Sequence, residues 1–275
     1  MSISTLKLEY VLRLADDALV ISHRLGEWCG HGPILEQDIA LTNTALDHLG
    51  RARSLFQYAA ELFNKLPFEL KKDYFASVSI QNKVKEGANI EEDDLAFLRD
   101  GWDFKNLLLL EQPNTDWAFT IARSLFYDTF NYFYFKEIVN CNDEIISGIA
   151  AKSLKEVTYH LKWSSDWVLR LGDGTDESIL RMQNALNELW KFTGELFFEN
   201  EIDTELKKQG IAPDIEKIKL LWSERINSIL KNTCLKLPDN IWMQKGGRVG
   251  MHTEYLGYIL ADAQFMQRTY PNMQW

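Results

Sequence analysis

The sequence has few of the patterns that mark common catalytic or binding sites. Its three cysteines, Cys29, Cys141 and Cys234, lie far apart and form no CxxC pair, so neither a zinc site nor a disulfide framework is expected. It contains no GxSxG motif, no phosphate-binding glycine loop and no dinucleotide fingerprint. Enzymes that are built on those motifs are therefore not predicted.

Basic charge and long apolar runs are also scarce. The 30 Lys and Arg residues against 40 Asp and Glu residues give a formal charge of -10, which argues against nucleic acid or an anionic membrane as a partner. No stretch approaches the roughly 20 apolar residues of a membrane span. Charged residues such as Glu9 and Arg13 interrupt the N-terminal apolar residues, so no signal peptide is predicted. We expect a cytoplasmic protein.

Helical periodicity runs through nearly the whole chain. The first apolar stripe recurs in steps of three and four residues at Tyr10, Leu14, Ala18, Ile21, Leu25 and Trp28. A second stripe follows the Gly30 to Pro33 reversal at Leu35, Ile39, Thr42, Leu46, Leu49, Phe56, Ala60 and Phe63. Two further helices are predicted at about 117–139, capped by Thr115 or Asp116, and at about 145–171. Two hairpins of long helices joined by a long crossover predict an all-α, ferritin-like four-helix bundle.

The remaining residues predict a helical extension of the same domain. Further helices are expected at about 176–198, 213–234 and 251–270, and no linker or internal repeat separates them from the bundle. We therefore predict a single domain over residues 1–275, with a core bundle at about 1–172 and an extension at about 173–275.

A ferritin-like bundle that performs oxygen chemistry carries two E-x-x-H pairs and two further carboxylates as iron ligands. The second predicted helix has Asp47 at the acidic position, but Gly50 stands three residues later and has no donor atom. The fourth has Glu156 with Tyr159 three residues later and His160 four residues later. Both motifs are degenerate, so these positions predict a vestigial metal site or one with unusual ligands.

Other acids of the predicted bundle lie at plausible heights for the same site, namely Asp16 or Asp17 on the first helix and Asp128 on the third. Each candidate also has a structural interpretation, because buried acids commonly pair with bases. Asp47 and Glu156 would then pair with Arg51, Arg53, Lys155 or another base. His160, like His23, His31 and His252, would be a structural or interfacial histidine.

Several motifs spread along the chain carry a resemblance to a known family. They are RLGEW at 24–28, residues 46–53, LAFLRD at 95–100, EQPN at 111–114, TIAR at 120–123, residues 155–161, LGDGT at 171–175, GMHTE at 250–254 and residues 268–275. On these residues the chain resembles the phenylacetic acid catabolic family, and within it the structural subunits of multicomponent phenylacetyl-CoA epoxidases. The resemblance covers almost the whole chain.

The resemblance implies a non-catalytic subunit that binds a homologous, catalytic partner with the di-iron centre, together with further small and reductase subunits. Such a complex converts phenylacetyl-CoA and O₂ to the ring epoxide with NADPH. No cofactor and no working metal site are then expected in this chain. Aromatic residues between Phe126 and Phe135 are expected either to form an interface with the partner or to belong to the core.

The alternative is that the chain is itself an active di-metal oxygenase or oxidase. It would need an unusual ligand set drawn from Asp16, Asp47, Asp128, Glu156 and His160.

Overall fold

The chain, represented by a computed structural model, is described at residues 3–239, 241–270 and 273. Within these residues there is no β-strand, and the protein is 72% helical. The predicted fold class, all-α and ferritin-like, is confirmed. Of the C-terminal motif at 268–275, residues 271, 272, 274 and 275 lie outside the described residues.

The helices of the described chain are joined by mostly short connections. In order they are α1 (Ile3–Gly26), α2 (Leu35–Asn64), α3 (Phe68–Lys71), α4 (Val78–Lys85), α5 (Glu92–Phe97), α6 (Leu108–Glu111), α7 (Trp117–Ile138), α8 (Glu144–Gly172), α9 (Asp176–Trp190), α10 (Glu201–Lys208), α11 (Ile215–Leu230) and α12 (Glu254–Thr269). The longest four, α1, α2, α7 and α8, correspond to the four long helices that the periodicity predicts. No described helix is long and apolar enough to cross a membrane.

The chain divides into two compact units. The first comprises Met1–Gln112 and Gly246–Trp275, and the second comprises Pro113–Lys245. The C-terminal residues therefore return to the unit that contains the N-terminus, while residues 173–245 belong with α7 and α8. The single domain over residues 1–275, with a core bundle at about 1–172 and an extension at about 173–275, remains a prediction.

In the first unit, α1 and α2 pack against each other as a helical hairpin. The turn between them follows Gly26 and includes Gly30, whose φ of 80° lies in the left-handed region that glycine adopts at little cost. Helices α5, α6 and α12 pack onto this hairpin or onto one another. They bring the C-terminal segment against the connection that follows α5.

The apolar stripe of α2 is not the continuous core face that the sequence suggests. Its first part, consisting of Leu35, Ile39, Leu46 and Leu49, is between 41% and 72% exposed, whereas Phe56 and Phe63 are buried. The buried face of the first half of α2 is instead formed by Leu41, Ala45 and His48. The pattern alone misplaces this face because a helix can carry more than one apolar stripe, and tertiary packing decides which one is covered.

In the second unit, α7 and α8 form another hairpin, with α9 and α11 packed against α7. Asp116 caps α7 as predicted, since its carboxylate accepts a hydrogen bond from the Phe119 N–H at 2.8 Å. The Trp222 indole donates to the Phe126 carbonyl at 2.9 Å. Of the aromatic residues proposed for core or interface, Phe126, Phe130 and Phe135 are buried in the core.

The extension differs from its prediction in detail. The helix expected at 176–198 ends at Trp190 and is followed by a 3₁₀ turn (Thr193–Phe197), and α10 was not predicted. Short helices such as α10 give too few periodic positions for a sequence pattern to identify them.

The return of the C-terminal segment to the first unit depends on close backbone packing at Gly247. A Cβ atom added there would lie 2.1 Å from the carbonyl oxygen of Asn106. Because this oxygen belongs to the backbone, relieving the clash would require the chain itself to shift. At Gly257, on α12 of the same segment, an added Cβ would meet no atom within 4 Å.

We therefore expect Gly247→Ala to lower the free energy of unfolding by about 1–3 kcal/mol, as overpacking does. The matched control, Gly257→Ala, should be neutral or raise it by up to about 1 kcal/mol through helix propensity. Urea unfolding followed by circular dichroism measures both. Equal midpoints for Gly247→Ala and wild type would contradict the close packing.

Candidate functional site

On α2, the proposed degenerate metal motif of Asp47 and Gly50 does not lie on the buried face of the helix. Asp47 and Gly50 are only half-buried, whereas His48 and Arg51, also three residues apart, are buried. The Arg51 guanidinium donates a short hydrogen bond to Nδ1 of His48. The lone pair of Nδ1 is therefore engaged, and in the neutral ring the other nitrogen carries the proton. The buried face of α2 thus presents a guanidinium and an imidazole, where a di-iron site would need a carboxylate and an imidazole.

On α8, the buried positions likewise lie one residue after the proposed pair of Glu156 and Tyr159. Tyr159 is 54% exposed, and Glu156 is half-buried, with its carboxylate 3.7 Å from the Lys152 ammonium. The buried pair three residues apart is Val157 and His160. Because valine has no donor atom, this helix offers one potential ligand on its buried face.

Asp128 is the predicted acid of α7, and it is buried. One of its carboxylate oxygens and one ring nitrogen of His160 lie within 4.8 Å of each other. The structure therefore brings together two of the candidate residues, both of them in the second unit. Together they supply one carboxylate and one imidazole as potential metal ligands.

Asp16, the predicted acid of α1, is fully buried in the first unit and is bound by a cation of the protein itself. Both of its oxygens accept hydrogen bonds from the Arg99 guanidinium, and the Lys105 N–H donates at 2.9 Å. Arg99 is also fully buried and lies 4.2 Å from the centre of the Phe104 ring, a cation–π contact. The carboxylate is thus neutralised by a guanidinium.

Asp17, the alternative acid on α1, is bound by a different arginine, Arg248. Arg248 donates to its two oxygens at 2.8 and 3.0 Å, and the Leu107 N–H donates at 2.9 Å. Burial nevertheless raises the pKa of the Asp17 carboxyl to about 6, because the loss of hydration outweighs the attraction of Arg248.

Glu111 is a third buried carboxylate in the first unit, and sequence reasoning did not select it. It accepts hydrogen bonds from Asn106 at 3.0 Å and from the backbone N–H and hydroxyl of Thr253 at 2.8 and 2.6 Å. Nδ1 of His252 lies 2.6 Å from it, and Nε2 of the same ring lies 2.8 Å from the Phe104 carbonyl. The Arg24 guanidinium donates to the Glu111 carbonyl at 2.6 and 3.0 Å.

These contacts form one buried charge network in the first unit. Its members are Asp16, Asp17, Arg24, Arg99, Glu111, Arg248 and His252. Local spacing could not reveal it, because its pairs are separated by 83, 231 and 141 residues along the chain. The only signal was indirect, since five of its members, all but Asp16 and Asp17, fall within or beside motifs that carry the family resemblance.

The residues present do not fit a di-iron centre of the ferritin-like type. Such a centre needs four carboxylates and two imidazoles. Here the carboxylate of Asp16 is bound by Arg99, the buried face of α2 presents Arg51, and Val157 stands where α8 would need an acid. We therefore derive no oxygen chemistry from this chain.

Comparison with known proteins gives two matches of nearly full length. A family model described as phenylacetic acid catabolic protein matches residues 3–275. The chain is also 44% identical over 266 residues to the subunit designated C of the 1,2-phenylacetyl-CoA epoxidase of Escherichia coli (strain K12). That match covers 97% of this chain and 98% of the relative.

The raised pKa of Asp17 makes the stability of the protein depend on pH. In the unfolded chain the carboxyl titrates near pH 3.8, and in the folded protein near pH 6. Between these values the folded state binds more protons, so the contribution of Asp17 to the free energy of unfolding falls as pH rises, by up to about 3 kcal/mol.

Urea unfolding of wild type and Asp17→Asn between about pH 4 and pH 7 tests this. The stability of wild type relative to Asp17→Asn should decline across that window, because the amide does not titrate. Asp262→Asn, at an exposed carboxyl of α12, controls for the loss of one negative charge. A constant difference between wild type and Asp17→Asn would rule out the raised pKa.

Proposed function

The chain belongs to the phenylacetic acid catabolic protein family, and from that premise we propose that it is a structural, non-catalytic subunit of a multicomponent phenylacetyl-CoA epoxidase. The observation that carries the proposal is the composition of the buried faces of α2 and α8. They present His48 with Arg51 and Val157 with His160, where an oxygenase would present two pairs of acid and imidazole.

In this proposal the catalytic chemistry belongs to a homologous partner. The partner subunit would carry the di-iron centre, a reductase subunit would supply electrons from NADPH, and phenylacetyl-CoA would be bound by the assembled cytoplasmic complex. This chain would contribute no cofactor. Its role would be to hold the catalytic subunit in its working conformation through a stable interface.

Two properties of the first unit support a structural role. The buried charge network fastens the C-terminal segment to α1 through Arg248 and Asp17, which gives the unit a rigid frame. The exposed stripe of Leu35, Ile39, Leu46 and Leu49 on α2 is an apolar surface of the kind that protein interfaces cover.

The competing function is an active di-metal oxygenase in this chain itself. It would have to use the donors that remain, of which Asp128 and His160 lie within 4.8 Å of each other and Glu156 is half-buried. Substitution of these residues therefore separates the two proposals.

The test is turnover of phenylacetyl-CoA by this chain alone and by its complex with the catalytic and reductase subunits. We expect the chain alone, supplied with Fe(II) and a reductant, to consume no O₂ beyond background. Complexes that contain Asp128→Asn or Glu156→Gln should keep turnover per catalytic subunit within about twofold of wild type, because neither residue would touch the reacting atoms.

A catalytic subunit with one iron ligand replaced serves as the inactive control, and native mass of each complex checks assembly. Loss of turnover by about 100-fold or more in a fully assembled Glu156→Gln or Asp128→Asn complex would overturn the structural role and favour the di-metal alternative.

A further inference from the structure

A surface groove of the second unit collects basic residues that are dispersed in the sequence. It has a volume of about 660 Å³ and is lined by residues of α7, α8 and α11 and of the turn after α11. Ligand pockets commonly measure about 300–1,000 Å³, so the groove is large enough for a small organic molecule. The network in the first unit and the residues discussed under the proposed function take no part in it.

The groove carries an excess of positive charge on an acidic protein. Lys136, Lys162 and Arg225 line it, and Asp166 is the acid among its lining residues. Asp166 accepts a hydrogen bond from Lys162 at 3.0 Å, which leaves the charges of Lys136 and Arg225 uncompensated within the groove. A chain with a formal charge of -10 that gathers cations at one concave surface would concentrate small anions there.

Arg225 is the residue most suited to bind an anion. Across the described residues, no hydrogen bond or ion pair engages its guanidinium, and its side chain is exposed. Ser228 follows one turn later on α11, and Asn232 lies in the turn beyond that helix, so that a hydroxyl and an amide line the groove with Arg225. A guanidinium with neutral donors beside it matches the several oxygens of a phosphate group.

The part of the lining that α7 contributes includes aromatic side chains. Tyr132 and Phe133 of α7 are half-buried, and their rings lie 5.2 Å apart at 76° to each other. Lys136 lies 5.7 Å from the centre of the Tyr132 ring, so cationic and aromatic surfaces adjoin. A simple inorganic anion would use the cations and leave the rings unused. A ligand that joins phosphate groups to a planar ring would use both.

We propose that this groove binds a nucleoside phosphate, with its phosphate groups at Arg225 and Lys136 and its base against Tyr132 and Phe133. Two sources share this chemistry, namely a free adenine nucleotide and the adenosine bisphosphate portion of a coenzyme A ester. Only the coenzyme A source rests on the proposed function, and binding of a free nucleotide stands independently of it.

Isothermal titration calorimetry of the full-length chain tests the proposal with three probes: adenosine 5′-diphosphate, adenosine 3′,5′-bisphosphate and inorganic phosphate. We expect at least one nucleotide to bind about tenfold more tightly than phosphate, and its affinity to fall as salt is raised. Tighter binding of the 3′,5′-bisphosphate would favour a coenzyme A ester as the source, whereas equal or tighter binding of adenosine 5′-diphosphate would favour a free nucleotide.

Three variants locate the site. Arg225→Gln should weaken nucleotide binding by about tenfold, through the loss of charge-assisted hydrogen bonds. Lys219→Gln removes the same charge from an exposed position of α11 outside the groove and should leave binding unchanged. Phe133→Leu keeps an apolar side chain without a ring, and it should weaken nucleotide binding but not phosphate binding.

The proposal fails if neither nucleotide binds at millimolar concentration, or if Arg225→Gln binds as wild type does. Phosphate that binds as tightly as the nucleotides would also overturn it, because the aromatic wall would then have no role. Arg225 is exposed, so loss of folding does not confound its variant, and circular dichroism verifies the fold of Phe133→Leu.

Discussion

The buried pair of Asp16 and Arg99 is the interaction on which the first unit depends most. Neither side chain is exposed to solvent, so each charge relies on the other, and removing one partner of such a pair typically costs about 3–5 kcal/mol. Arg99 also joins several segments: its carbonyl accepts hydrogen bonds from Gln264 and Arg268 of α12 at 3.0 and 2.9 Å. Arg99, which lies just beyond the end of α5, thereby connects α1, the segment between α5 and α6, and α12.

The same principle applies to two further buried acids of this unit. Asp17 is bound by Arg248, and Glu111 by Asn106, Thr253 and His252, so each carboxylate is satisfied by protein groups. In a metal-dependent ferritin-like protein, inward-facing carboxylates are neutralised by metal ions. Neutralisation by arginine offers no open coordination position, but it fixes distant segments of the chain to one another. This difference supports the structural role that we propose for the chain.

The fold class was predictable, and the details of the candidate site were only partly so. The long helices follow from apolar periodicity, and the cap at Asp116 follows from residue type. The acids proposed as ligands on α2 and α8, Asp47 and Glu156, each lie one residue before a buried position, because a shift of 100° on a helix with several apolar residues leaves the pattern nearly unchanged. Pairs such as Asp17 with Arg248, and the convergence of Lys136 and Arg225, depend on tertiary structure and have no local signal.

The structural role is tested most directly by the thermal unfolding of the chain alone, after chelation and after titration with Fe(II) under anaerobic conditions. A ligand that binds the folded state raises the midpoint in proportion to the logarithm of its concentration over its dissociation constant. We predict no shift, because protein groups already satisfy the buried carboxylates of Asp16, Asp17 and Glu111, and Val157 stands at the position where α8 would need an acid. A rise of several degrees that saturates at two equivalents of Fe(II) would contradict it.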